Sequence, residues 1–299
     1  MKRADLTGFA LDLGGTKTAA ARIENGTVIE RVQTNTEGAF VVERHLDIMA
    51  ELLEKVGHTK AEPLGVAVTG RVTQEGNWHS VNHGTLTQID NAPLGNALKE
   101  RFGSGYLCND ATAASVAEFH FGAGRQSENF AYITVSTGVG GGLIVNGRPI
   151  QSNNGLAGHI GFISTPLGND LCGSGRNGTV ESVAGGRAIA AAAAKAGHHE
   201  MDARAVFAVA AQGEGWAIEI IDRSANAIAI LCSDLTAMLG LDNVALGGSI
   251  GLAAGYTQKV ITHLALEPAL FHVAICNAEL DQNSPLIGAL ALHYMRGNK

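Results

Sequence analysis

Three short strings in this chain carry residue types that could do chemistry together. The first is Leu11-Asp12-Leu13-Gly14-Gly15-Thr16-Lys17, the second Asn109-Asp110, the third Ser136-Thr137-Gly138-Val139-Gly140-Gly141-Gly142. A turn of Gly, Ser and Thr bares backbone N–H groups and hydroxyls with no Cβ in the way, a surface suited to phosphate oxygens. The third string holds four glycines and two hydroxyls in seven residues, more than a tight turn needs. Asp12 interrupts an apolar strand, and a carboxylate there needs a reason. Holding Mg²⁺, directly or through water, is one. Lys17 can reach a phosphate or stand in solvent as a strand residue. Asp110 can orient an attacking hydroxyl and take its proton, with Asn109 free to hold a second hydroxyl. The same pair can instead cap the helix that follows, since both are favoured N-caps. Two phosphate turns facing one carboxylate point to a nucleotide-dependent phosphotransferase.

The elements that must position these residues are written twice. Near the N-terminus a buried strand, a Gly/Thr turn and a second strand end at Asn25-Gly26. From Phe130 the same order ends at Asn146-Gly147. Asn-Gly is the strongest short signal for a two-residue hairpin turn, so each copy predicts three strands. Helices are expected over 41–56, 93–102 and 111–121, with strands at 64–70 and 106–108. After a Gly-rich stretch at 155–186, helices are expected over 187–196, 203–211 and 216–239. A strand from Val244 then runs into Gly247-Gly248-Ser249, and a last helix covers 286–294. Strand triplets followed by helices, in two halves, predict an α/β protein with a mixed sheet in each lobe. The lobes are placed at 1–118 and 119–285.

Composition narrows the classes. The chain has 299 residues, 45% hydrophobic and 16% charged, which describes a globular protein of two ordinary lobes. Its net charge of −7 and lack of a basic run argue against nucleic acid and anionic membrane as partners. Asp5 and Asp12 break the apolar core that a signal peptide needs, and no apolar run reaches bilayer length. Cys108, Cys172, Cys232 and Cys276 are scattered, as reduced thiols of a cytoplasmic protein would be. Gly173-Ser-Gly-Arg-Asn-Gly178 matches G-x-G-x-x-G, but no buried strand precedes it, so a dinucleotide site is rejected.

The strings around Asp12, Asp110 and Ser136–Gly142, in this order and spacing, resemble the ROK family of sugar kinases and repressors. Gly155-Leu-Ala-Gly-His159-Ile-Gly with Glu181 downstream looks most like the branch acting on N-acetylmannosamine. The resemblance spans essentially the whole chain. It implies the two-lobed actin-like (ribonuclease-H-like) ATPase fold, ligands between the lobes, and a C-terminal helix of about 286–299 returning to the first lobe. It implies ATP and Mg²⁺, a homodimer, and transfer to the 6-hydroxyl of N-acetyl-D-mannosamine, a step of sialic acid breakdown. Other hexoses and N-acetylhexosamines (N-acetylglucosamine, glucose, mannose) remain alternatives. On the nucleotide side it implies Asp12, Gly14, Gly15, Thr16, Lys17, Ser136, Thr137, Gly138, Gly140 and Gly141, with Gly247-Gly248 as an adenosine-side turn. On the sugar side it implies Gly70, Arg71, Asn82, Asn109, His159 and Glu181, with Asp110 as base. His159 stands where glucose-type members carry Glu.

One part of the family pattern is missing. Most members hold a structural zinc through one His and three Cys, and here those positions read Phe162, Cys172, Ser174 and Thr179. One thiol of four ligands cannot make a tetrahedral site, so no structural zinc is expected. Gly175, Gly178 and Glu181 keep the frame of the loop, with Phe162 as an apolar plug in place of the metal. Alternatively the loop is loose and activity impaired. The rival class is a sugar-responsive regulator. Those carry an N-terminal helix-turn-helix domain, for which the first strand at about Thr7 leaves no room.

Overall fold

The computed structural model describes residues 2–82 and 84–297. The first half runs β1 (Gly8–Leu13), β2 (Lys17–Glu24), β3 (Thr27–Asn35), α1 (Val42–Lys55), β4 (Leu64–Val68), β5 (Arg71–Val72), β6 (Trp78–His79), α2 (Leu94–Phe102), β7 (Tyr106–Asn109) and α3 (Asp110–Phe121). The second runs β8 (Phe130–Val135), β9 (Val139–Val145), β10 (Arg148–Pro149), α4 (Glu181–Ala184), α5 (Gly186–Lys195), α6 (Ala203–Ala210), α7 (Gly215–Leu239), β11 (Asn243–Gly247), α8 (Gly248–Gly251), α9 (Tyr256–Leu264), β12 (Ala274–Asn277) and α10 (Ser284–Gly297).

The duplication extends to topology. One sheet has the order β3-β2-β1-β4-β7, the other β10-β9-β8-β11-β12. In each, the first three strands are antiparallel neighbours and the last two run parallel to the central one. Both Asn-Gly turns have positive φ at both residues (Asn25 51° and Gly26 69°, Asn146 51° and Gly147 71°), as a type I′ hairpin requires. The third strand of the second copy is only two residues long. Strands β5, β6 and β12 were not foreseen, being short, polar or set off from the repeated pattern.

Helices α3 and α10 lie together between the sheets. Their core joins Ala10 and Ala67 of the first sheet with Phe130, Ile144 and Ala245 of the second. The approach is close: a Cβ on Gly288 would collide with the Ala113 backbone, and one on Gly65 with the backbone at Ala289. Two further cores cover the outer faces, one under α1 and α2, one under α5, α7 and α9. Among the described residues, no helix is long and apolar enough to cross a membrane.

Candidate active site

Strands β1, β4 and β7 end at Leu13, Val68 and Asn109, and the turns beyond them face the turn that follows β8. The cavity between holds about 340 Å³. Gly15, Thr16, Thr69, Gly70, Ser80 to Asn82, Thr85, Asn109 and Asp110 form one wall. Thr134, Ser136 to Gly141, Gly158, His159, Phe162, Glu181 and Arg187 form the other.

Asp110 opens α3. Its Oδ1 accepts from Ala111 N at 2.8 Å and Asn109 Nδ2 at 2.9 Å. A helix N-terminus and such bonds favour the charged form, yet burial outweighs them and raises the carboxyl to about 6. Asp12 is raised to about 7, first by burial and then by the charge of Asp110. Its Oδ1 is buried with no hydrogen-bond partner among the described residues. A hard cation, or a water bound to one, is what such an oxygen fits.

Asn109 takes both readings at once. Its Oδ1 caps α3 by accepting from Thr112 N at 2.9 Å, while Nδ2 donates to Gly70 O and Asp110 Oδ1. Both amide hydrogens are therefore committed to the protein, which leaves acceptor capacity for a ligand. Glu181 is likewise engaged: its two oxygens accept from Val139 N at 3.1 Å and Gly173 N at 3.2 Å. Burial raises its pKa. His159 is lowered by burial, hence neutral at neutral pH, and its Nε2 is buried without a partner among the described residues.

The glycines of the third string have two different reasons. The turn itself is Ser136–Gly138, closed by Ser136 N donating to Gly138 O at 2.9 Å. A Cβ on Gly138 would strike the Glu181 carboxylate. Gly140, Gly141 and Gly142 lie inside β9, opposite Thr134, Ile133 and Tyr132. A Cβ on Gly141 would meet Ile160, and one on Gly142 would meet Ser115 and Ala111. The excess of glycine thus has a packing reason as well, beside the cavity wall that Gly138, Gly140 and Gly141 form. The N–H groups of Gly15, Thr16, Thr137 and Gly138 have no protein partner among the described residues.

Several expected residues stand off the cavity wall. Lys17 is exposed at the start of β2. Arg71 turns its guanidinium to Asn154 O at 2.7 Å. Gly14 is closed in its turn by N–H donation to Lys17 O. Gly247 packs against Tyr132, and Gly248 (φ 82°) begins α8, where Ser249 Oγ lies 3.1 Å from Ser136 Oγ. Thr69, Thr85, Thr134 and Arg187 line the cavity without having been singled out. Lone threonines and one arginine in a helix carry no local signature.

Among the described residues, no group of three or more His, Cys, Asp and Glu is arranged to hold a metal ion. At the positions that the resemblance matched to zinc ligands, Cys172 Sγ and Ser174 Oγ pair at 3.0 Å and Thr179 is fully buried. Phe162 lines the cavity and stacks on His159 with ring centroids 5.8 Å apart and an interplanar angle of 27°. Lys195 Nζ reaches both Asp170 oxygens at 2.8 Å, and Arg176 Nη2 reaches Ser164 Oγ at 3.0 Å, closing the loop with ordinary polar contacts.

Two repeated mixed sheets with crossing helices and a polar cleft between them define the two-lobed actin-like ATPase fold. The chain belongs to the ROK family, whose model matches residues 8–295. It is 40% identical over 284 residues to the N-acetylmannosamine kinase of Vibrio cholerae serotype O1, covering 94% of this chain and 97% of that one. To the N-acetylmannosamine kinase of Escherichia coli O139:H28 it is 38% identical over 289 residues, covering 96% and 98%. The ROK hexokinase from Thermus thermophilus superposes with a TM-score of 0.83 at 28% identity, over 97% of this chain and 98% of that one.

Proposed function

We propose that this chain is an ATP-dependent kinase that phosphorylates the 6-hydroxyl of N-acetyl-D-mannosamine. The observation that carries the reaction type is Asp110, a carboxylate raised to about 6 at the floor of a cleft whose opposite wall is a Ser/Thr/Gly turn. A base poised near neutrality is ionised at working pH yet basic enough to accept a proton. The sugar oxygen attacks the γ-phosphorus as its proton passes to Asp110, and the bond from that phosphorus to the departing ADP breaks. In this reading the N–H groups of Gly15, Thr16, Thr137 and Gly138, which have no partner among the described residues, receive phosphate oxygens.

Mg²⁺ belongs to this reading. When bound it neutralises charge on the transferred phosphoryl group, and Asp12, with its unpartnered buried oxygen, is the residue that would hold it. The choice of sugar rests on likeness to N-acetylmannosamine kinases and on His159. A neutral imidazole with a free Nε2 can donate to or accept from a sugar group, whereas a carboxylate only accepts. Asn82, Gly70 and the free capacity of Asn109 and Glu181 complete the sugar side. In this reading the lobes divide at residues 118 and 119, with α10 returning to the first. It also takes the enzyme as a cytoplasmic homodimer. Four unpaired cysteines support the compartment, and sedimentation measures the assembly.

A coupled ADP-release assay over N-acetylmannosamine, N-acetylglucosamine, glucose and mannose tests the proposal. The highest kcat/KM is expected for N-acetylmannosamine. Higher kcat/KM for glucose overturns the sugar, and no turnover on any of the four overturns the kinase.

A further inference from the structure

Arg187 joins three parts of the cleft that are far apart in sequence. Its backbone N–H donates to Thr137 O at 3.1 Å, and its neighbour Gly186 N donates to Ser136 O at 2.7 Å. The first turn of α5 is thereby fastened to the Ser136–Gly138 turn. Its side chain reaches the other way across the cleft. Nη1 donates to Asn82 Oδ1 and Nη2 to Thr85 Oγ1, each at 2.8 Å. Thr85 in turn lies against the first phosphate turn, since a Cβ on Gly15 would sit 2.9 Å from Thr85 Cγ2.

From this geometry we infer that Arg187 is a positioning residue that couples the sugar side of the cleft to both phosphate turns. The inference rests on the kinase reading above. A guanidinium has a rigid fork of donors, so two acceptors on one loop fix its direction as well as its distance. Arg187 is exposed, and bonds made in water are modest, so the clasp can open and close at little cost. A sugar that orders Asn82 orders the acceptor of Arg187, and with it the turn that receives phosphate. Binding of either substrate then favours binding of the other, reciprocally.

The test is calorimetric titration of a non-hydrolysable ATP analogue with and without N-acetylmannosamine, for wild type, Arg187→Ala and Arg187→Lys. In the wild type the sugar should tighten the nucleotide by about tenfold. In Arg187→Ala this factor should fall to about twofold or less, and Arg187→Lys should recover part of it. A tenfold loss of nucleotide affinity without sugar would make Arg187 a phosphate ligand instead. An unchanged factor, or none in the wild type, also overturns the inference. A double-mutant cycle of Thr85→Val and Arg187→Ala on the unliganded protein's stability reads the clasp without any sugar. Additive effects there would deny it, whereas a wild type that binds nucleotide but phosphorylates no sugar would instead fault the kinase reading.

Discussion

Asp110→Asn should do two opposite things, and the sign of each follows from the site. The amide keeps the shape of the carboxylate. Its Oδ1 can still accept from Ala111 N and Asn109 Nδ2, so the start of α3 is preserved. What disappears is a negative charge that burial makes unfavourable. The carboxyl stands at about 6 in the fold against a reference of 3.8. That gap corresponds to at most about 3 kcal/mol of destabilisation in the ionised protein. The penalty is absent below 3.8, grows between the two values, and is fully present above about 6. Removing the charge also relieves Asp12, whose own rise to about 7 owes part to Asp110. At pH 8, without nucleotide or Mg²⁺, the variant should be more stable than the wild type by about 1–3 kcal/mol. For a chain of this length that is about 2–5 °C in Tm.

Turnover should move the other way. Loss of the proton acceptor costs roughly 100-fold to 10,000-fold in kcat, with sugar affinity largely retained. Differential scanning calorimetry from pH 8 to pH 5 and the coupled assay read both arms. The Tm gap should close as pH falls, because the wild-type carboxyl then takes up its proton. The wild-type kcat/KM should decline on the acid side through the same region near 6. A variant that is inactive and less stable at every pH would refute the reasoning, because Asp110 would then be serving the helix. Wild-type turnover in the variant would place the base elsewhere.

Replacing His159 with Glu should lower the ratio of kcat/KM for N-acetylmannosamine over glucose by about tenfold, a loss of one good hydrogen bond; an unchanged ratio would show that His159 does not read the sugar. Purified, untagged protein should contain far less than one zinc per chain by mass spectrometry, and chelation should leave Tm unmoved, because binding energy at a structural site is folding energy; stoichiometric zinc would refute this. Glu118 is fully buried and accepts from Ala123 N, Glu279 N, Leu280 N and Ser284 Oγ at 2.8–3.1 Å, tying α3 to the approach of α10. Glu118→Ala strands those donors and should cost about 3–5 kcal/mol by urea denaturation, while a loss under 1 kcal/mol would mean that water replaces the carboxylate.

How much of this was legible before the structure depended on whether the reason for a residue lay beside it or across the fold. The two sheets were readable because their signal is local. Apolar strands, a turn and Asn-Gly follow one another directly, and a type I′ turn closes a hairpin with a positive-φ pair, as Asn25-Gly26 and Asn146-Gly147 do. Asp12 and Asp110 were readable because a carboxylate in or just after a buried strand is costly and stands out. Gly140 to Gly142 looked like more of the phosphate turn, although Gly141 and Gly142 are small because Ile160 and helix α3 press on β9. That pressure comes from residues with no neighbouring place in the sequence. Arg187 was invisible for the same reason: its partners Asn82 and Thr85 lie 105 and 102 residues away. Glu181 shows the limit from the other side. The resemblance directed it to the sugar, and it does line the cavity, yet both oxygens already bind backbone N–H groups, one at the start of β9 just after the Ser136–Gly138 turn and one at Gly173 in the loop of Cys172 and Ser174. A carboxylate so held can touch a sugar only while also setting the distance between those two segments. In this chain that carboxylate links the Cys172–Ser174 loop to the cleft.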